Sequence, residues 1–353
     1  MMNASVQPQP GVVSFGRDTS VRHLLKPLQR WFEEDGVTEI CVNRPGEVFI
    51  EKESRWERFE VPELTFDALE SLATAVSKLA GQEINESHPM LSAVLPGRER
   101  VQVVSYPACE HGTVSLTVRR PSFGRRTLDQ YQAQGFFSHI RPISEGLTQV
   151  ESDMEAMLGA GDYMQFLRSA VQHEKVIVVA GATGSGKTTF MKALMQEIPT
   201  HQRIITIEDT PELFLPDHPN HVHLFYPSEA KEEENASTTA ATCLKSCMRM
   251  KPDRILLAEL RGGETYDFVN VCASGHGGSI TSLHAGSCEM AFERMALMIL
   301  QNRQGRTLPY EVIRRLLYLV VDVVVHVHNE VTLPDLGRHI TGIWFQPMKK
   351  WQG

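Results

Sequence analysis

Gly181-Ala182-Thr183-Gly184-Ser185-Gly186-Lys187-Thr188 is the stretch that decides how this chain is read. Its spacing is G-x-x-x-x-G-K-[ST], the phosphate-binding P-loop, and Thr189 follows directly. Glycines let backbone N–H groups turn inward around a phosphate, where a side chain would block the approach. Lys187 is the cation for the β- and γ-phosphates, and the Thr188 hydroxyl is the ligand for Mg²⁺. The helix that opens near Lys187 aims its positive dipole end at the same anion. Gly181 through Thr189 are therefore the expected nucleotide-binding residues, with ATP and Mg²⁺ as ligands.

The flanks supply the context the motif needs. Lys175-Val176-Ile177-Val178-Val179-Ala180 is short, apolar and β-branched, as a buried parallel strand is. Behind the loop, Phe190, Met191, Leu194, Met195 and Ile198 recur at helical spacing until Pro199 stops the pattern. Two further apolar runs end in carboxylates: Arg203 to Asp209, closing on Glu208 and Asp209, and Lys251 to Glu259. Ligands of open α/β sheets sit beyond the carboxyl ends of the strands. Glu208, Asp209 and Glu259 are thus expected beside the phosphates, orienting a metal's water shell or a hydrolytic water. A glycine-rich turn, Ser274 to Ser279, leads through Ile280-Thr281-Ser282-Leu283 to His284, which such a strand presents toward the nucleotide. For a single histidine, packing or capping is the commoner role.

Length and composition agree with a two-domain enzyme. The chain has 353 residues, 42% hydrophobic and 22% charged, with 43 acidic and 35 basic residues and a net charge of −8. That balance argues against broad nucleic-acid binding. The most apolar stretch, Leu316 to Val327, is interrupted by Asp322 and reads as a helix end running into a strand rather than a bilayer span. The N-terminus lacks the basic-then-apolar order of a secretory signal, and six scattered cysteines read as reduced thiols. Both point to the cytosolic side.

The expected organisation is a flexible lead-in over 1–16, with Gln7-Pro8-Gln9-Pro10-Gly11, then an α+β domain over 17–137. A linker follows over 138–161, around Pro142, and a P-loop α/β domain over 162–353. In the first domain, Glu39 to Asn43 and Glu47 to Glu51 read as strands joined by Arg44-Pro45-Gly46, and Arg100 to Ser105 and Thr113 to Val118 as two more. Phe66, Leu69, Leu72, Ala73, Val76 and Leu79 form one helical stripe. Leu24, Leu28, Trp31 and Phe32 read as core rather than a membrane-docking surface. Glu232-Glu233-Glu234 reads as a solvated loop. His221-Val222-His223 and His326-Val327-His328 have metal-pair spacing but no third ligand nearby in the sequence, and Cys243 and Cys247 have no partner pair; strand-face polarity and core are the readings.

The ordered set of P-loop, Ile207-Glu208-Asp209, Leu256-Leu257-Ala258-Glu259 with Arg261, and Gly275-His276-Gly277-Gly278-Ser279 through Leu283-His284-Ala285 resembles the secretion ATPases, where these are the Walker A, Asp box, Walker B and His box. It is most similar to the traffic ATPases of bacterial type IV secretion systems. Asn43 to Val48, Met90 to Gly97 and Val118 to Ser122 extend the resemblance into the first domain, so that it covers about 20 to about 330. The resemblance implies a homohexameric ring with a RecA-like ATPase domain, peripheral at the cytoplasmic face of the inner membrane. Other secretion-machine ATPases and inner-membrane components would be its partners, and DNA or protein its cargo. It implies that Lys187 and Thr188 serve phosphate and Mg²⁺, that Glu259 is the catalytic carboxylate assisted by Glu208 and Asp209, and that His284 contacts the γ-phosphate side. ATP would lie between the two domains of a protomer and near its neighbour, with Arg100 and Arg119 reaching its phosphate. Ala258 stands where helicase-like relatives carry Asp, so one metal-facing carboxylate would come from elsewhere. The alternatives are a type II secretion or pilus ATPase, a nucleic-acid motor, and a non-catalytic ATP-dependent assembly switch; no paired Cys-x-x-Cys module of the type II kind is present.

Overall fold

Alternation of side chains builds the first domain. The computed structural model describes residues 18–351 apart from 122–123, 125, 141–145, 229–236 and 334. The lead-in over 1–16, Pro142 and Glu232 to Glu234 lie outside the described residues. Strands β1 (Val37–Val42), β2 (Glu47–Lys52), β3 (Arg55–Glu60), β4 (Met90–Val94), β5 (Arg100–Ser105) and β6 (Val114–Arg119) form one antiparallel sheet in the order β3-β2-β1-β6-β5-β4. Successive residues of a strand face opposite ways. Ile40, Val42, Val48, Ile50, Val101, Val103, Leu116 and Val118 therefore share one core with three helices, α1 (Thr19–Leu24), α2 (Gln29–Glu33) and α3 (Phe66–Ala80). Leu28 and Trp31 are buried there, as the sequence stripe predicts. Thr65 caps α3 by accepting from the Ala68 N–H, and Gly81, at φ +64°, ends it in the left-handed conformation. Strands β3 and β4 are additional to the sequence reading; β3 is an edge strand whose charges cover its rim.

The second domain is a seven-stranded sheet of β7 (Ile177–Gly181), β8 (Ile204–Glu208), β9 (His221–Phe225), β10 (Arg254–Leu260), β11 (Ile280–Leu283), β12 (Val323–Asn329) and β13 (Arg338–Trp344). The order is β13-β12-β7-β11-β10-β8-β9, parallel throughout except for the antiparallel edge strand β13. Between the domains runs α4 (Leu128–Ala133). Helices α5 (Gln149–Gly159), α6 (Tyr163–Gln172) and α7 (Lys187–Met195) cover one face of the large sheet. Helices α8 (Ala240–Cys247), α9 (Glu264–Ala273), α10 (Cys288–Ile299) and α11 (Tyr310–Val320) cover the other. The end of α11 passes into β12, as read from the Leu316 to Val327 stretch, and no helix among the described residues is long and apolar enough to cross a membrane.

One expectation needs correction. Residues 149–159 of the expected linker are helix α5, opened by a Thr148–Glu151 capping box. Its Met154 is fully buried in the second domain's core, and Glu151 accepts from Lys175 Nζ at 3.0 Å. Burial of Met154 and a partly buried ion pair fix this segment to the large sheet, so it belongs to the second domain's packing.

The second face of the small sheet is polar yet buried, because it lies against the second domain. Arg203, fully buried, donates from Nη1 to Asn43 Oδ1 at 2.7 Å and from Nη2 to Thr117 Oγ1 at 3.4 Å. It also donates from Nε to the Met250 carbonyl at 2.8 Å and from Nη1 to Asn220 Oδ1. Lys251 pairs with Glu51 at 2.9 Å, and the Trp56 indole donates to Asp253 at 3.0 Å. Beside this polar joint, Val104, Ala108 and Cys109 enter the second domain's hydrophobic core, and Phe225 N–H donates to the Ala108 carbonyl at 2.9 Å. All six cysteines are free and buried, and burial raises every thiol pKa, to about 11 for Cys41 and Cys109 and about 12 for Cys272.

Candidate active site

The P-loop leaves β7 at the centre of the sheet and enters α7, the strand–loop–helix setting its sequence predicts. Gly181 has no room for a side chain: a Cβ there would lie 2.3 Å from the Val327 carbonyl oxygen and 2.6 Å from Ser185 Oγ. Gly186, at φ +93°, turns the chain into α7, whose first N–H groups receive no side-chain cap. Uncapped N–H groups at a helix start are a ready anion site. Ala182, Thr183, Gly184 and Thr189 are exposed around this opening, and Thr188 is half-buried. Ser185 Oγ is buried without a partner. Lys187, also buried, donates from Nζ to the carbonyls of Gly181 and Ala182, both at 3.1 Å. Burial holds its pKa below the usual lysine value, against the pull of Glu259. A buried ammonium resting on loop carbonyls, an orphaned hydroxyl and a cradle that a Cβ would fill together fit a polyphosphate.

A chain of charged contacts crosses the sheet from this lysine. Lys187 Nζ lies 3.3 Å from His284 Nδ1, and His284 Nε2 lies 3.0 Å from Glu259 Oε1, close but off the line of a hydrogen bond. Arg261 donates to Glu259 Oε2 at 2.8 Å and also pairs with Asp209. Burial lowers the Arg261 pKa, but the two carboxylates outweigh it and the net shift is upward. Lys187, His284, Glu259, Arg261 and Asp209 thus meet at the carboxyl ends of β7, β11, β10 and β8. Sequence reading names four of these five. Arg261 appears in it only as part of a motif, although a cation two residues past a strand-end carboxylate is a visible signal. Arg338 is missed altogether: its Cδ lies 3.2 Å from where a Gly186 Cβ would stand, so β13 lays a guanidinium over the P-loop.

Three expected residues lie elsewhere. Glu208 is fully buried; its Oε2 accepts from the Glu212 and Leu213 N–H groups, both at 2.8 Å, and its Oε1 from Thr206 Oγ1 at 2.8 Å. Strand alternation turns it from Asp209, and its oxygens anchor the following loop instead of facing phosphate. Arg100 and Arg119 do stand opposite each other, across β5 and β6, and Arg119 lies 3.6 Å from Glu39. They line an interdomain cavity of about 510 Å³ with Lys251, Pro252 and His276. Those residues precede β10 and β11, at the sheet edge opposite the P-loop. The seven residues of β10 span roughly 20 Å at about 3.3 Å per residue, too far for an arginine to bridge. The interdomain cleft of one chain therefore does not bring these arginines to its own P-loop.

Among the described residues, His326 and His328 gather no third metal ligand, whereas His221 and His223 do, in Glu110.

A central parallel sheet with a P-loop, a strand-end carboxylate and a histidine bridging it to the P-loop lysine defines a RecA-like P-loop ATPase. The chain belongs to the Type II/IV secretion system protein family, whose model matches residues 23–326. It is 66% identical over 350 residues to the type IV secretion system protein VirB11 of Brucella abortus biovar 1, covering 99% of this chain and 96% of that one. It is 43% identical over 344 residues to the type IV secretion system protein PtlH of Bordetella pertussis, covering 94% and 96%. The crystal structure of the VirB11 ATPase from the Brucella suis type IV secretion system, in complex with sulphate, superposes with a TM-score of 0.89 at 64% identity, covering 95% of this chain and 100% of that one. The chain is an ATP hydrolase of the secretion class, and the likenesses fall on the type IV side rather than on the type II alternative.

Proposed function

We infer that the chain hydrolyses ATP in a homohexameric ring that powers substrate transfer or pilus assembly by a type IV secretion system. The observation that carries this reading is the unbroken contact series Lys187–His284–Glu259–Arg261–Asp209 at the mouth of the P-loop. In it, Gly181 to Thr189 bind the phosphates and Lys187 exchanges its two carbonyl acceptors for phosphate oxygens. Thr188 would hold Mg²⁺, which would supply charge neutralisation at the phosphates. Asp209, just past β8, would supply the carboxylate that Ala258 leaves out of the Walker B strand and would help to hold the metal's waters. Glu259 orients the attacking water and takes its proton. His284, between Lys187 and Glu259, reads the γ-phosphate side. Arg261 bridges the two carboxylates and offsets their negative charge.

A ring is supported by two features. Leu128, Phe136 and Ile140 are exposed between the domains, apolar surface that a neighbouring subunit would bury. Arg100 and Arg119 are out of reach of their own P-loop, and this reading puts them to work on a neighbour's nucleotide. Attachment at the cytoplasmic face of the inner membrane, contact with other ATPases and membrane components of the machine, and DNA or protein as cargo belong to the same proposal.

The test is Lys187→Ala. Hydrolysis should fall by roughly a hundredfold or more, with the thermal midpoint unchanged or raised because a buried charge is removed. Normal turnover by the folded variant would end the site assignment.

A further inference from the structure

Strand β9 forms one edge of the large sheet, beside the loop that follows β5. There the fold gathers three side chains from two domains. One ligand-capable atom each of Glu110, His221 and His223 lies within 4.8 Å of the other two. The imidazoles project from the same face of β9, with ring centroids 4.8 Å apart. Glu110, exposed, arrives in the loop whose Ala108 carbonyl accepts from Phe225.

Hydrogen bonding fixes both tautomers. His223 Nδ1 lies 2.7 Å from Thr206 Oγ1, and that hydroxyl gives its single proton to Glu208 at 2.8 Å. Thr206 must accept from His223, so Nδ1 carries the proton and Nε2 the lone pair. His221 Nδ1 lies 2.5 Å from the His218 carbonyl, which can only accept, so its Nε2 is bare as well. The His221 lone pair faces a cation already: Arg44 Nη2 stands 3.0 Å from Nε2.

We propose that Glu110, His221 and His223 form a binding site for a divalent transition metal of the zinc class, tying the first domain's loop to the edge strand of the second. Two neutral Nε2 atoms, a carboxylate and a water in the fourth position are a zinc ligand set. The Nδ1–H groups donate to a carbonyl and to a hydroxyl backed by the buried Glu208, the outer support that orients ligating histidines. Zinc ligands at about 2.1 Å from the metal stand ~3.4 Å apart, so the widest pair of the cluster must close by up to about 1.4 Å. The exposed Glu110 side chain provides that movement, and Arg44 leaves as the metal enters. Nitrogen ligands separate this site from the oxygen-liganded Mg²⁺ of the nucleotide.

The experiment uses the full chain without a tag, stripped by a chelator and dialysed, with no nucleotide present. Zn²⁺ is titrated by calorimetry and Co²⁺ by its d–d absorption. The expected result is one metal per chain and the absorption of four-coordinate Co²⁺. H223Q should abolish both, E110Q should weaken binding at least tenfold, and R44A should tighten it several-fold by removing the competing guanidinium. Glu110 is exposed, so E110Q remains decisive even where a histidine variant misfolds, and circular dichroism checks each fold. No stoichiometric uptake by the wild type, or equal uptake in E110Q and H223Q, would overturn the site. Either outcome leaves the ATPase reading intact, since none of these residues touches the P-loop.

Discussion

Replacing Arg203 by Met should loosen the two domains from each other. The side chains are similar in length, but Met has no donors. Three acceptors lose their partner, Asn43 Oδ1 and Thr117 Oγ1 on the first domain and the Met250 carbonyl on the second, while Asn220 Oδ1 keeps the Asn43 amide at 3.0 Å. A hydrogen bond from a charged group contributes about 1.5–3 kcal/mol, and an orphaned buried acceptor costs about 1–3 kcal/mol. Relief of the guanidinium's desolvation offsets part of this, and the net loss is about 2–4 kcal/mol. With a urea dependence of about 2–3 kcal/mol per molar, the transition moves down by about 1–2 M. Trp56 reports on the joint directly, since its indole donates to Asp253 and its ring centroid lies 5.7 Å from the Arg203 guanidinium carbon. Its fluorescence should change in a first transition, ahead of the loss of helical circular dichroism. Arg203→Lys should recover only part of the loss, because an ammonium cannot present the same fork of donors. A Met variant that unfolds at the wild-type midpoint in a single transition would refute the reasoning.

Three other outcomes follow from the site and the joint. Glu259→Gln should keep ATP bound and reduce turnover by roughly a hundredfold, seen by comparing nucleotide affinity with steady-state hydrolysis; retained turnover would move the base elsewhere. Arg261→Ala frees Glu259 and Asp209 from their shared cation, and kcat should fall by roughly tenfold or more while ATP affinity is kept; an unchanged kcat would leave Arg261 as a surface ion pair. Burial, opposed by Arg119, raises the Glu39 pKa from 4.5 to about 7. The unfolded chain releases that proton first, so this residue's stabilisation is complete below pH 4.5 and is lost as pH rises through about 7. Glu39→Gln should therefore flatten the loss of stability over that window and gain on the order of 2 kcal/mol at pH 8; denaturation midpoints that differ equally at pH 5 and pH 8 would contradict it.

Local chemistry is what the sequence makes legible. The P-loop, its strand and its helix are contiguous, and the alternation of β1, β2, β5 and β6 is visible residue by residue. Two further features follow from local rules. Glu208 closes β8 and Asp209 follows it directly, so the two side chains point different ways and only one faces a ligand. Thr148 and Glu151 form the S/T-x-x-E signal of a helix start, inside the segment taken for a linker. The remaining differences are non-local. Nothing near Arg100 or Arg119 tells that they pack below β10, because that contact is made across the domain joint. Glu110 lies more than a hundred residues before His221, and only the loop that follows β5, bonded to the edge strand β9, brings them together.

The burial of every cysteine has a practical side. Maleimides and similar reagents attack the thiolate, and a thiol with a pKa of about 11 is ionised to only about three parts in ten thousand near pH 7.5. The native side chains are shielded from reagent as well. A single cysteine introduced on each domain would then be the reactive one on that surface, without first removing the six natural thiols. The folded chain can carry a pair of dyes or spin labels as it stands, and distances across the domain joint become measurable on otherwise wild-type protein.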